Sequence, residues 1–82
     1  MRYFAITYIR KPNGQVDEQA LVTKSLNNSD LQTCNVILDF KEKKIIKASI
    51  DGNILGTDWA KLIEYYKKVY PDNIEALEKD NQ

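Results

Sequence analysis

Cys34 is the only thiol in the chain, and no histidine is present to activate it. Cysteine and serine nucleophiles are usually switched on by an imidazole, and histidine is also the commonest general base near neutral pH and the commonest metal ligand. Its absence closes the Cys–His and Ser–His routes, and one cysteine without histidine cannot build a structural zinc site. Cys34 stands in an alternating run on the same strand face as Val36, Leu38 and Phe40, which makes it a small buried hydrophobe rather than a reactive thiol. Carboxylates remain, and the nearest pairs are Asp17 with Glu18 and Asp39 with Glu42. Neighbours on a strand point to opposite faces, so the first pair cannot share a site; the second straddles a turn and faces water. Only three glycines occur, none in a phosphate-binding loop. With no convergent set of reactive groups, the expectation is a protein that is not an enzyme and holds no catalytic residue, metal or cofactor.

The densest aromatic chemistry lies in "TDWAKLIEYYKKVYPD", Thr57 to Asp72, where a tryptophan and three tyrosines stand among lysines. Such a stretch is either a stacking surface or a core. Thr57 suits the N-cap of a helix and Asp58 its first turn, where a negative charge meets the helix dipole. Trp59, Leu62, Ile63, Tyr66, Val69 and Tyr70 then fall on one continuous stripe, with Lys61, Glu64, Lys67 and Lys68 opposite and Tyr65 alone on the flank. A stripe of this kind is core if an apolar sheet face exists to receive it. Pro71 ends or kinks the helix. Asp72 and Glu75 suit the start of a short second helix with Ile74 and Leu77 pointing inward, and the final "EKDNQ" should fray.

Two hairpins supply the sheet. In "RYFAITYIRKPNGQVDEQALVTK", Lys11-Pro12-Asn13-Gly14 has the chemistry of a three-residue loop: proline presets φ, asparagine follows, and glycine takes the left-handed bulge position. Pairing Lys11 with Gln15 sets Phe4 against Val22, Ile6 against Ala20 and Tyr8 against Glu18, so that one face is largely apolar. A polar break follows at Asn27 to Asp30, where Ser29 and Gln32 stand in capping-box spacing for a short helical turn. In "CNVILDFKEKKIIKASID", pairing Phe40 with Lys44 sets Leu38 against Ile46 and Val36 against Ala48. Asp51-Gly52 reads as a turn, and "NIL" after it as a fifth strand or a lead-in to the helix. The predicted architecture is α+β, one domain over 1–82: a four-stranded antiparallel sheet from two hairpins, a C-terminal amphipathic helix on one face and a short terminal helix.

The chain has 82 residues, enough for one core. Twelve basic and twelve acidic side chains cancel, so no global field draws the protein to nucleic acid or an anionic membrane. No segment approaches the ~20 apolar residues of a membrane span, and the start lacks the apolar run of a secretion signal. The expected setting is cytoplasmic.

Two surfaces stand out for binding. Tyr3, Ala5, Ile9, Leu21, Ile37 and Ile45 share the sheet face opposite the helix by parity, and an apolar patch there would meet a protein partner or a second copy of the chain. Alternatively, Lys41, Lys43, Lys44 and Lys47, around the second hairpin turn, can neutralise a few phosphates of a nucleic acid, with Tyr65 available for stacking. The plainer reading of those lysines is protection of a sheet edge.

The hairpin "RYFAITYIRKPNGQVDEQALVTK", the block "VILDFKEKKIIKASIDG" and the aromatic helix after them resemble small uncharacterised proteins encoded by T4-like phages of marine cyanobacteria. The likeness covers about the first fifty residues, and the C-terminal region only in general character. It implies no activity and no functional residue. It implies a setting, a phage product in the cytoplasm of an infected cell, and a role of the host-modifying kind.

Overall fold

The computed structural model describes all 82 residues. Five strands form one antiparallel sheet in the order β2-β1-β3-β4-β5, with β1 Tyr3–Arg10, β2 Val16–Thr23, β3 Val36–Asp39, β4 Lys44–Ile50 and β5 Asn53–Ile54. Helix α1, Asn28–Thr33, links the two hairpins, and α2, Trp59–Val69, and α3, Pro71–Asp80, follow the sheet. The α+β class and the C-terminal helices are those expected. The strand count is not: Asn53–Ile54 pairs with β4 and makes a fifth strand, reached through a tight turn in which Asp51 (φ 50) and Gly52 (φ 81) are both left-handed.

The first hairpin has the predicted register throughout, from Arg10 opposite Val16 to Tyr3 opposite Thr23. Lys11 N–H donates to the Gln15 carbonyl at 2.8 Å, Gly14 N–H to the Lys11 carbonyl at 2.9 Å, and Gly14 has φ 86. The second hairpin departs from expectation. Val36 faces Ala48, but Leu38 faces Ile45 rather than Ile46, because a bulge shifts the register between Ile37 and Leu38. The extra residue turns the rest of β4 over. Ile45 therefore packs against the main core, whereas Ile46 is 41% exposed.

The core lies between the sheet and α2–α3: Phe4, Ile6, Val36, Leu38, Phe40 and Ala48 meet Leu62, Ile63, Tyr66, Ile74 and Leu77. Ring contacts carry much of this junction, with Phe4 5.5 Å from both Tyr66 and Tyr70 and Phe40 5.1 Å from Trp59. The aromatic helix is thus mainly core, except that Val69 is exposed at the end of its stripe. The N-cap is Asp58, not Thr57, and its side chain accepts from Lys61 N–H. Pro71 begins α3 as its first residue, where a missing N–H costs nothing. The C-terminus does not fray as expected: α3 runs to Asp80, and the Asn81 amide donates to the Met1 carbonyl at 2.8 Å.

A second, smaller cluster sits on the other face of the sheet. The capping box at α1 is Asn27 with Asp30 rather than Ser29 with Gln32, and it brings Leu26 and Cys34 over Ala5 and Ile37. Cys34 is buried, as expected of a small hydrophobe, but it ends α1 and lies on the face opposite Val36 and Leu38.

Asp39 does not face water. Its carboxylate is 4% exposed and takes both nitrogens of an Arg2 fork, Nε at 2.9 Å and Nη2 at 2.7 Å. It also accepts from the N–H groups of Lys41 and Glu42, which closes the β3–β4 turn. The Arg2 hydrogen bonds hold the Asp39 carboxyl below its ordinary value, against the opposing effect of burial.

Two predictions follow from this packing. Ile45→Asn should lose about 2 kcal/mol of unfolding free energy in urea and Ile46→Asn less than about 0.5 kcal/mol, the reverse of what an unbulged register requires. Asp39→Asn should cost about 2 kcal/mol at neutral pH. Because the folded carboxyl has the lower pKa, its contribution is complete above the ordinary value of 3.8 and is lost as pH falls below it. The gap between the parent and Asp39→Asn should close in denaturation curves taken at progressively lower pH.

Candidate functional site

An open groove of about 660 Å³ lies between the distal end of the β1–β2 hairpin, the end of β4 and the first turns of α2. Its apolar lining comes from Ile50, Leu55 and Leu62, and its polar groups from Tyr8, Glu18, Asp58, Lys61, Tyr65 and Tyr66. The elements explain the assembly. Even-numbered residues of β1 and β2 face the helices, so Tyr8 and Glu18, directly paired, stand side by side on one wall. Tyr66 comes from the buried stripe of α2, and Tyr65, the next residue, emerges beside it with ring centroids 5.1 Å apart. The loop before α2 then carries Leu55 and Asp58 to the opposite side.

The phenols form a connected group. Tyr70 O–H donates to the Glu18 carboxylate at 2.5 Å, which ties α2 to the edge strand. Burial and that carboxylate push the Tyr70 phenol up to about 12. Burial likewise raises Tyr66 and Tyr8, whose hydroxyls are close enough to influence each other's proton. These groups are therefore neutral hydrogen-bond donors across the physiological range. Tyr65 differs: it is 51% exposed and lies on the rim.

The residues expected to form an outer sheet patch are only partly together. Tyr3, Leu21 and Ile9 keep that face, with the Arg2 guanidinium 5.0 Å from the Tyr3 ring centroid and Leu21 and Ile9 each 41% exposed. Ile37 is fully buried with Ala5 beneath Leu26 and Cys34, which flank α1, and Ile45 has been turned to the helix side by the bulge. The patch is thus broken by the side chains at the two ends of α1 and by a register shift. The lysines do not gather with the tyrosine either. Lys41, Lys43 and Lys44 stand at the β3–β4 turn, and Lys43 lies near Trp59 and Glu78. Lys47 reaches across the outer face to the Leu31 carbonyl at 3.4 Å, whereas Tyr65 lines the groove on the helix side.

Parity of the first hairpin already placed Tyr8 opposite Glu18 on the helix-facing side. What the sequence does not signal is that the loop after β5 returns to flank them and leave a trough. No group of three or more His, Cys, Asp or Glu side chains converges on one point, and no helix is long and apolar enough to cross a membrane. Compared with models of known protein families, with curated proteins and with solved structures, the chain matches none.

The raised phenols make an alkaline test. A folded phenol that holds its proton beyond the ordinary value of 10 favours the folded state below that pH, and this advantage disappears as pH rises toward 12. In an ultraviolet absorbance titration, part of the tyrosine signal should therefore stay un-ionised past pH 10 and appear together with loss of the folded circular dichroism. Tyr70→Phe should remove one such phenol and leave the remainder delayed.

Proposed function

We propose that the protein is a non-enzymatic interaction domain that takes an extended segment of a protein partner into the tyrosine-walled groove. The observation that carries this reading is the juxtaposition of Tyr8, Tyr65 and Tyr66 with Glu18 over an apolar floor. At about 660 Å³ the groove lies within the ~300–1,000 Å³ of ordinary binding sites. Phenols are effective in such places because a rigid ring buries area while its hydroxyl serves a backbone carbonyl. Two carboxylates, Glu18 and Asp58, against one amine, Lys61, favour a basic side chain beside the apolar one. The likeness of both hairpins to small cyanophage proteins supports an infected cell as the setting, with a host or phage protein as the partner.

Selection from a random peptide display library tests the reading. The expected result is enrichment of peptides that pair apolar with basic residues, bound about ten-fold more weakly by Tyr65→Ala and weakened also by Glu18→Gln. Failure to select any peptide, or selected peptides indifferent to both substitutions, would remove the groove from consideration. Binding of nucleic acid that falls steeply with salt and is lost on replacing Lys41, Lys43 and Lys44 would favour the lysine turn instead.

A further inference from the structure

The two edges of the sheet are treated differently. At the β4–β5 edge, β5 contributes only two residues, Lys44 and Lys47 stand along β4, and the bulge falls at Ile46; short strands, lysines and bulges are the usual protections against edge pairing. At the other edge, β2 runs for eight residues without proline, lysine or bulge. From Val16 to Leu21 it is exposed on both faces, with Val16 46% and Leu21 41% exposed.

Hydrogen-bond parity shows which groups this edge presents. Lys11 bonds to Gln15, so odd-numbered residues of β2 exchange hydrogen bonds with β1. Consistently, the even-numbered Ile6 and Tyr8 of β1 bond on the β3 side, the Ile6 carbonyl accepting from Asn35 N–H and Tyr8 N–H donating to the Asn35 side chain. The N–H and C=O groups of Val16, Glu18, Ala20 and Val22 therefore point away from the sheet along an open ladder.

We propose that β2 pairs antiparallel with β2 of a second copy, making a two-fold dimer with one continuous sheet and Gln19 on the dyad. A dyad must set outward-facing residues against outward-facing residues, so it passes through a residue pair. With Gln19 there, Val16 meets Val22, Glu18 meets Ala20 and Asp17 meets Leu21, and the ladder spans Val16 to Val22 without direct opposition of like charges. Moving the dyad to Glu18 sets two carboxylates face to face, and moving it to Ala20 pushes Val16 beyond the partner strand. Because the far edge is protected, association stops at two copies rather than running on as a filament. This pairing uses the main-chain edge of β2 and shares only Glu18 with the groove wall.

Sedimentation and light scattering of the intact chain, from micromolar to millimolar concentration, should show a monomer–dimer equilibrium. Ala20→Pro, which removes an outward N–H from each copy at an edge position that tolerates proline, should weaken it about ten-fold or more. Gln19→Cys, placed in a Cys34→Ala background, should form an intermolecular disulfide under mild oxidation, because a non-hydrogen-bonded antiparallel pair has Cα atoms about 4.5 Å apart, within disulfide reach. Asp17→Cys, two residues off the dyad, should not. A chain monomeric at millimolar concentration, or a dimer that cross-links no better through position 19 than through position 17, would overturn the proposal; the cross-linking result decides the matter even if Ala20→Pro fails to fold.

Discussion

A buried carboxylate must be surrounded by donors, and Asp39 obtains four: two from the Arg2 guanidinium and two from the backbone of the turn that follows it. Much of the sheet depends on how those donors are placed. Arg2 N–H donates to Thr23 on β2, and its carbonyl accepts from Phe40 after β3. One residue thus fastens β1 to a neighbour on each side while its side chain holds the turn between β3 and β4. The same carboxylate dictates the loop geometry. By accepting from Lys41 and Glu42 it makes Asp39 rather than Phe40 the last paired residue, opposite Lys44. Phe40 is released from the pairing with β4, and its ring rests on Trp59 at the start of α2.

At the other end of the molecule, tyrosine does the equivalent work. Phe4, Tyr66 and Tyr70 fill the junction between β1 and α2 as a trio of rings, and the Tyr70 hydroxyl crosses to Glu18 on the edge strand. A phenol suits this position because its body belongs in the core and its tip does not. The helix is therefore clamped against β2 by a hydroxyl–carboxylate contact, and the trough beside it is walled by groups that structure already requires. Tyr65 alone makes no comparable contribution to the core and is the wall residue most free to serve a ligand.

Both hairpins, the aromatic helix and the proline-started last helix were legible because each rests on a local rule: turn chemistry, strand alternation, the helical stripe, the position of proline. The first register was readable to the residue because a single loop geometry agreed with a single face segregation. The second was not, because "KKIIK" offers two adjacent isoleucines and either satisfies an apolar position. The shifted register goes with the tertiary contacts of Asp39, to the turn amides and to Arg2, which the local pattern does not contain. Asp39 and Glu42 looked like a solvated pair for the same reason: the partner is thirty-seven residues away, and separation in sequence hides it. Two members of the outer patch, Ile37 and Ile45, lie elsewhere through a related blindness. Parity assigns a residue to a face but cannot say whether that face is covered, and the α1 segment, polar in composition, lays Leu26 and Cys34 over Ala5 and Ile37. The groove was half visible, its strand wall in the pairing of Tyr8 with Glu18 and its helix wall in the flank position of Tyr65.

The central place of β1 has a consequence for how the chain assembles. Each hairpin closes locally, but the seam between them joins Ile6 to Val36, thirty residues on, and little apolar surface is sealed over that seam until α2 and α3 arrive from the C-terminal third. Loop-closure entropy must be met before the contacts that offset it exist, the situation in which folding is slowed by topology rather than by weak local preference. The Arg2–Asp39 contact lies on that seam, and α1, with its own capping box, lies within the loop that must be closed. The small linking helix, too short to persist alone, thus spans the gap between the hairpins in the folded chain, and the residues at its two ends, Leu26 and Cys34, seal the outer side of the seam.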